Sequence, residues 1–245
     1  MSADWLALGP FDAAGWRGYR LRGSEILAEA TEADEPGVLR ALKAEGDSRL
    51  IRIGAGQDKA PAALLPDSGA ALGDMVQEAP LDRLSGWARL AAAGVVSTRN
   101  HWDGVICHAG RDVTHWLQIS AEEIVSFQGS VTARLIAALG GAAEAAPAAI
   151  EDALARPEKI ALHLRRAEMA GAAADVTGAL IGAELAALRP YWLGQAVIVL
   201  GGAEGDAYAE ALRAQGVPVE RDAPEAALRQ GLAALAQRLG LAEAG

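Results

Sequence analysis

Three short apolar runs, closed by turns and followed by a helical stretch, occur near the start of this chain and again from about residue 104. That recurrence points to an α/β chain built as two like units in tandem. In the first group, Trp5 to Leu8 is apolar, Trp16 to Leu21 alternates aromatic and basic residues, and Glu25 to Ala30 follows a turn at Gly23. Pro36-Gly37 opens a helix through Ala44, and Leu50 to Ile53 reads as a fourth strand. Gln57 to Pro80, rich in Pro, Gly and Asp, reads as a long surface connection. A helix is expected over about Pro80 to Ala93, with Leu81, Leu84, Trp87 and Leu90 on one stripe.

The second group begins near Gly104. Val105-Ile106-Cys107 is a compact buried run, and Thr114 to Ile119 and Ile124 to Phe127 flank a turn at Ser120 to Glu123. Gly140 to Ala149 is Ala/Gly-rich and reads as a flexible connection. Helices are expected over Pro157 to Met169 and Ala172 to Leu188, the latter with Asp175 as cap. Ala196 to Leu200 reads as a strand buried on both faces and ending at Gly201-Gly202. A helix from Glu204 to Gln215, a strand at Val217 to Glu220 and a closing helix from Glu225 to Leu239 follow. Two such units in tandem are the layout of a two-domain actin-like ATPase fold of the ribonuclease H-like, sugar-kinase type. The boundary falls near His101 to Asp103, giving domain I as 1–102, with a reduced middle, and domain II as 103–245.

Several chemistries are excluded by residue supply. Of 245 residues, 22 are Lys or Arg and 32 are Asp or Glu, a net charge of −10. Binding to nucleic acid or to an anionic membrane needs clustered cations, so neither is expected. The only cysteine, Cys107, allows no internal disulfide and suits a reducing compartment. With no long apolar run and no signal-like amino terminus, a soluble cytoplasmic protein is the expectation. Lys43, Lys59 and Lys159 are the only lysines and none follows a glycine, which rules out a Walker A loop. Gly54-Ala55-Gly56 lacks the third glycine of a dinucleotide fingerprint and reads as a turn.

Specific residues then carry a resemblance. Trp102 to Cys107 with Thr114 to Phe127, the helix Thr177-Gly178-Ala179-Leu180-Ile181-Gly182-Ala183-Glu184-Leu185, and Val199-Leu200-Gly201-Gly202-Ala203 followed by Tyr208-Ala209 resemble the 2-dehydro-3-deoxygalactonokinases. Asp4 to Leu8 and Gly15 to Tyr19 fit that family's opening hairpin more loosely. The resemblance implies transfer of the ATP γ-phosphoryl to the 6-hydroxyl of 2-dehydro-3-deoxy-D-galactonate with Mg²⁺. It also implies a hairpin turn in each domain to hold the phosphates, reading Asp-Trp-Gly-Thr-Thr in the first and Leu-Pro-Gly-Thr-His in the second. Catalysis of that kind is mostly positioning and charge neutralisation.

Both turns are altered here. The first reads Gly9-Pro10-Phe11-Asp12-Ala13-Ala14-Gly15, with a proline that has no N–H and alanines without hydroxyls. The second reads Ala109-Gly110-Arg111-Asp112-Val113 before Thr114-His115-Trp116, without the Gly-Thr pair. Three readings stay open: a working sugar-acid kinase with a divergent site, a degenerate relative that binds a sugar acid or nucleotide, and a regulatory partner protein. For an active enzyme the resemblance places Asp12 and Asp112 as metal organiser or general base, with Mg²⁺ at Asp12. Arg17, Arg111, Thr114 and His115 would meet substrate or phosphate, and Gly201 and Gly202 the nucleoside of ATP.

Other residues are weighed on their own chemistry. His101, His108 and His115 recur every seven residues, but the turns at Gly104 and Gly110 break any helix that would align them as metal ligands. Most of the six tryptophans are expected in cores or interfaces, with Trp16 and Trp116 as the candidates for ring stacking. Exposed ones would favour a homodimer. Glu184, inside an apolar helix, needs a hydrogen-bonding partner if buried. Arg165-Arg166 reads as a solvated face.

Overall fold

A computed structural model describes residues 4–11, 15–44 and 48–242. The chain forms two compact units, one of Met1–Trp102, Ala121–Val125 and Glu225–Gly245, the other of Asp103–Ser120 and Ser126–Pro224. The elements are β1 (Asp4–Phe11), β2 (Gly15–Arg22), β3 (Glu25–Glu32), α1 (Glu35–Ala41), β4 (Arg49–Lys59), β5 (Ala62–Ala63), β6 (Ala71–Glu78), β7 (Leu81–Leu84) and α2 (Gly86–Ser97). They continue with β8 (Gly104–Ala109), β9 (Thr114–Ser120), β10 (Glu123–Ser130), α3 (Thr132–Ala138), α4 (Pro147–Ala155), a 3₁₀ turn, α5 (Ile160–Ala170) and α6 (Ala173–Ala187). The chain closes with α7 (Arg189–Trp192), β11 (Val197–Gly201), α8 (Ala203–Ala214), β12 (Val219–Asp222) and α9 (Pro224–Arg238).

The two sheets repeat one topology. In the first unit the order is β3-β2-β1-β4-β6-β7, with β1-β2 and β2-β3 antiparallel and β1-β4 and β4-β6 parallel. In the second the order is β12-β11-β8-β9-β10, with β8-β9 antiparallel and β8-β11 and β11-β12 parallel. A meander of three strands followed by two parallel additions is thus present twice. This is the two-domain actin-like arrangement.

Each sheet is buried because helices cover it. Trp5, Ala7, Tyr19, Leu21, Ile51 and Ile53 pack with Trp87 and Leu90 of α2 and with Leu228, Leu232 and Leu235 of α9. On the opposite face Leu6 and Leu8 meet Val38 and Leu42 at the end of α1. That double cover explains why β1 reads as a continuous apolar run rather than an alternation. In the second unit Val105, Cys107, Trp116, Val197 and Val199 pack against residues of α4, α6 and α8.

The glycines of the Thr177–Leu185 segment have a packing reason. A Cβ at Gly178 would collide with the Ala146 carbonyl oxygen, and one at Gly182 with that of Ile150. They let α6 and α4 approach backbone to backbone.

Several local expectations change. Gly9, Pro10 and Phe11 are strand, not turn: Pro10 lies opposite Trp16 beyond the last β1-β4 pair, where its missing N–H costs the sheet nothing. Gln57 to Pro80 is not a surface connection, because it holds the end of β4, the short β5 and the buried β6. The expected helix from Pro80 is strand β7 and then α2, which starts after Ser85, whose hydroxyl accepts the Ala88 amide hydrogen at 3.2 Å. Leu81, expected on the buried stripe, is 87% exposed. Gly54 and Gly56, both at positive φ, form an irregularity inside β4 rather than a turn. Gly140 to Ala149 contains the start of α4, and α6 has no side-chain cap, Asp175 standing instead in its first turn. All six tryptophans are buried or half-buried, so none is an exposed indole of the kind that would favour a homodimer.

Candidate functional site

Register brings one group of candidates together in the second unit. Strands β8 and β11 run parallel, and their carboxyl ends pair Ala109 with Gly201. The β8-β9 turn, Gly110 to Val113, therefore lies beside Gly201 and Gly202, which lead into α8. Ligands of open α/β sheets bind at this carboxyl edge. Arg111 and Asp112 are exposed on the turn. Gly110 bends it: its N–H donates to the His108 carbonyl at 3.0 Å, and a Cβ there would crowd the Val113 carbonyl oxygen. Gly201 is buried, and a Cβ there would press on Ala109 and Gly205. Arg221 donates to the Gly202 carbonyl at 2.8 Å and pairs with Asp206, fixing the Gly-Gly corner.

Thr114 and His115 leave the turn in opposite directions, as adjacent strand residues must. Thr114 is buried, and its Oγ1 lies 3.2 Å from the Tyr208 hydroxyl. The Tyr208 hydroxyl donates to Glu184 Oε2 at 2.8 Å, and Trp116 Nε1 donates to Glu184 Oε1 at 2.8 Å. The partner that a buried Glu184 requires is therefore a set of neutral donors. Burial pushes the Glu184 carboxyl above the ordinary carboxylate range against those hydrogen bonds, and raises Tyr208 well above a free phenol. Trp116 is thus an anchor to Glu184 and not an exposed stacking surface.

On the other face His115 sits opposite His108 and near Phe127, with ring centres 6.4 Å apart. His108 is half-exposed as a residue, but its Nδ1 is buried with no hydrogen-bond partner. Desolvation, helped by His115, pulls its pKa down to about 4. Among the described residues no three His, Cys, Asp or Glu side chains converge on a metal-sized site.

Candidates of the first unit are placed differently. Asp12 lies outside the described residues. Arg17 on β2 is committed within its own unit: its guanidinium makes two hydrogen bonds to Glu225, at 2.9 and 2.6 Å, and lies over the rings of Phe11 and Tyr19. Burial works against the Arg17 charge, but Glu225, Tyr19 and Glu29 together outweigh it and the guanidinium stays protonated. Phe11 meets Trp87 edge-on at 6.1 Å. Arg165 pairs with Glu168 on an exposed helix face.

Sequence reasoning missed the part played by Tyr208. The available signal was a tyrosine at a core-facing position of α8 in the same unit as a buried acid.

The fold has solved counterparts. A Sinorhizobium meliloti protein, described as a candidate 2-dehydro-3-deoxygalactonokinase, superposes with a TM-score of 0.80 at 21% identity over 95% of this chain and 98% of its own. The Acidaminococcus fermentans (R)-2-hydroxyglutaryl-CoA dehydratase component A matches with a TM-score of 0.50 at 14% identity, over 96% and 97% of the two chains. No curated protein matches in sequence. Residues 141–235 match the family model of 2-keto-3-deoxy-galactonokinase. Over that segment this chain is similar to the 2-keto-3-deoxy-galactonokinases. The galactonokinase match spans α4 to α9 and includes Glu184, Gly201, Gly202 and Tyr208. Both altered turns lie outside it. No helix among the described residues is long and apolar enough to cross a membrane.

Proposed function

We propose that this chain binds a nucleotide, ATP or ADP, and an anionic sugar acid, and that it transfers phosphoryl to the 6-hydroxyl of 2-dehydro-3-deoxy-D-galactonate only slowly. The observation that carries this reading is the carboxyl edge of β8 and β11. Gly201, Gly202 and the Arg111-Asp112 turn stand together there, while the Thr114 hydroxyl at the end of the turn points inward to Tyr208. An exposed guanidinium suits a phosphate or carboxylate. A glycine corner admits a nucleoside, and the α/β edge supplies the place. What is missing is the hydroxyl grip that would tighten on the γ-phosphoryl as its charge redistributes, and removing one such donor costs about 10²–10³ in rate.

Mg²⁺ usually keeps several waters and takes one or two protein carboxylates beside the phosphates. Asp112 is the residue in the described turn that fits that need, and the ion would neutralise phosphate charge there. Asp12, which lies between β1 and β2 in the sequence, remains the candidate general base or metal organiser.

A coupled assay with Mg-ATP and 2-dehydro-3-deoxy-D-galactonate tests the reading. The expected kcat is below about 0.1 s⁻¹, against roughly 1–100 s⁻¹ for ordinary kinases. Turnover in the ordinary range that disappears in Asp12→Ala would replace this reading with that of a fully working kinase.

A further inference from the structure

We propose that Glu184, acting through Tyr208, is a positioning residue that fixes the β8-β9 turn in its anion-binding shape. The inference rests on reading that turn as part of the ligand site, and it deepens that reading.

Proton bookkeeping sets the direction of the network. Tyr208 has one O–H and gives it to Glu184 Oε2. The 3.2 Å contact with Thr114 must therefore be donated by the threonine hydroxyl to the tyrosine oxygen. Trp116 Nε1 can only donate, and it gives its proton to the other carboxylate oxygen. Thr114 and Trp116 are the first and third residues of β9 and point to the same face, opposite Ala109 and Cys107. Both anchors of the strand that leaves the turn thus end on one carboxylate. The hydroxyls of Ser130, at the end of β10, and Thr132, at the start of α3, share one hydrogen bond at 2.6 Å and lie beside the same carboxylate, so the β10-α3 junction is tied to the same point.

This arrangement is a poor device for stability alone. A buried carboxylate costs desolvation, and an apolar residue of the same volume often holds a fold as well or better. What the carboxylate provides is direction, because an acceptor-only group draws every neighbouring proton inward. The Thr114 hydroxyl proton is spent, and Arg111 and the turn backbone remain to meet an anion. The chain Thr114–Tyr208–Glu184 also pins the residue where the turn becomes strand.

The experiment uses the full chain with Tyr208→Phe, which keeps the ring and cuts the link, and Thr114→Val and Thr114→Ser as partners. Amide hydrogen exchange is followed over residues 110–116 and over β11, and Mg-ADP binding is measured by calorimetry. Tyr208→Phe is expected to speed exchange of the turn amides about tenfold, the worth of one net hydrogen bond, with β11 unchanged. It should weaken Mg-ADP binding by a similar factor. Thr114→Val should do the same, the double variant should be no worse than either single one, and Thr114→Ser should behave as wild type. A uniform loss of stability with turn exchange unaltered relative to β11 would overturn the inference. If wild type binds no Mg-ADP, the functional reading fails, while the exchange pattern still decides whether Glu184 positions the turn.

Discussion

Gly94→Val is expected to lower stability by about 3 kcal/mol, the upper end for overpacking a well-filled site. It should also free the closing helix from the first unit. A Cβ at Gly94 of α2 would fall on the carbonyl of Ala227 and near the amide of Gly231, and one at Gly231 would fall on the carbonyl of Leu90. The obstructing atoms are backbone, so no side-chain rotation relieves the clash. Through this contact α9 seals Trp5, Tyr19, Leu21 and Ile53 with Leu228, Leu232 and Leu235. Gly94→Ala is the sharper comparison. In an exposed helix the change stabilises by about 1 kcal/mol, whereas here the methyl alone meets the carbonyl and the sign should reverse. Thermal unfolding together with limited proteolysis of residues 224–242 reads both effects. A stabilised Gly94→Ala protein with a protected carboxyl end would show that the helices do not cross there.

Acid should destabilise the second unit through His108. Its Nδ1 is buried and without a partner, and its folded pKa is about 4 against an ordinary 6.5. Between those values the unfolded chain holds the proton and the folded chain does not. The stability linked to this depressed group is complete above pH 6.5 and is lost as pH falls toward 4, by up to about 3 kcal/mol. Glu184 acts with the opposite sign: its raised carboxyl favours the fold at low pH, and that contribution fades as pH rises through its folded value. The two are separated by His108→Leu, which should flatten the acid limb between pH 6.5 and 4 and leave the rest of the profile in place. An unchanged limb, or an NMR titration of His108 near 6.5, would contradict the assignment.

Much of the architecture was legible because it is local. Trp5 to Leu8, Val105 to Cys107 and Ala196 to Leu200 announce strands by continuous apolar character, and the repeat of meander and helix marks two like units. The failures share a physical cause, which is that the deciding contact lies far away in sequence. Strand β6 hides its identity because Asp74 is buried to accept the Gly86 amide hydrogen at 2.7 Å, at the start of α2, and to pair with Arg83. An acid in a Gly-rich stretch otherwise argues for a loop. Leu81, Leu84, Trp87 and Leu90 keep helical spacing by coincidence, and the better signal was Ser85 as a cap. Helix α4 was obscured by alanine and glycine, although Pro147 followed by Ile150, Ala153 and Leu154 carries a start and a stripe.

For the candidate site, sequence located the β8-β9 turn, Gly201-Gly202 and the need of Glu184 for a partner. It gave no sign that Arg17 is engaged by Glu225, 208 positions away. Nor could spacing reveal that Thr114 turns inward to Tyr208.

On the proposed function, the carboxyl edge of β8 and β11 still receives a nucleotide without a hydroxyl grip at the β8-β9 turn. Isothermal titration of the full chain with Mg-ADP, comparing wild type with Arg111→Ala, tests it most directly. Saturable binding to wild type, weakened about tenfold in the variant as for one charge-assisted contact, is the predicted result. No heat with wild type, or equal binding by both proteins, would contradict it.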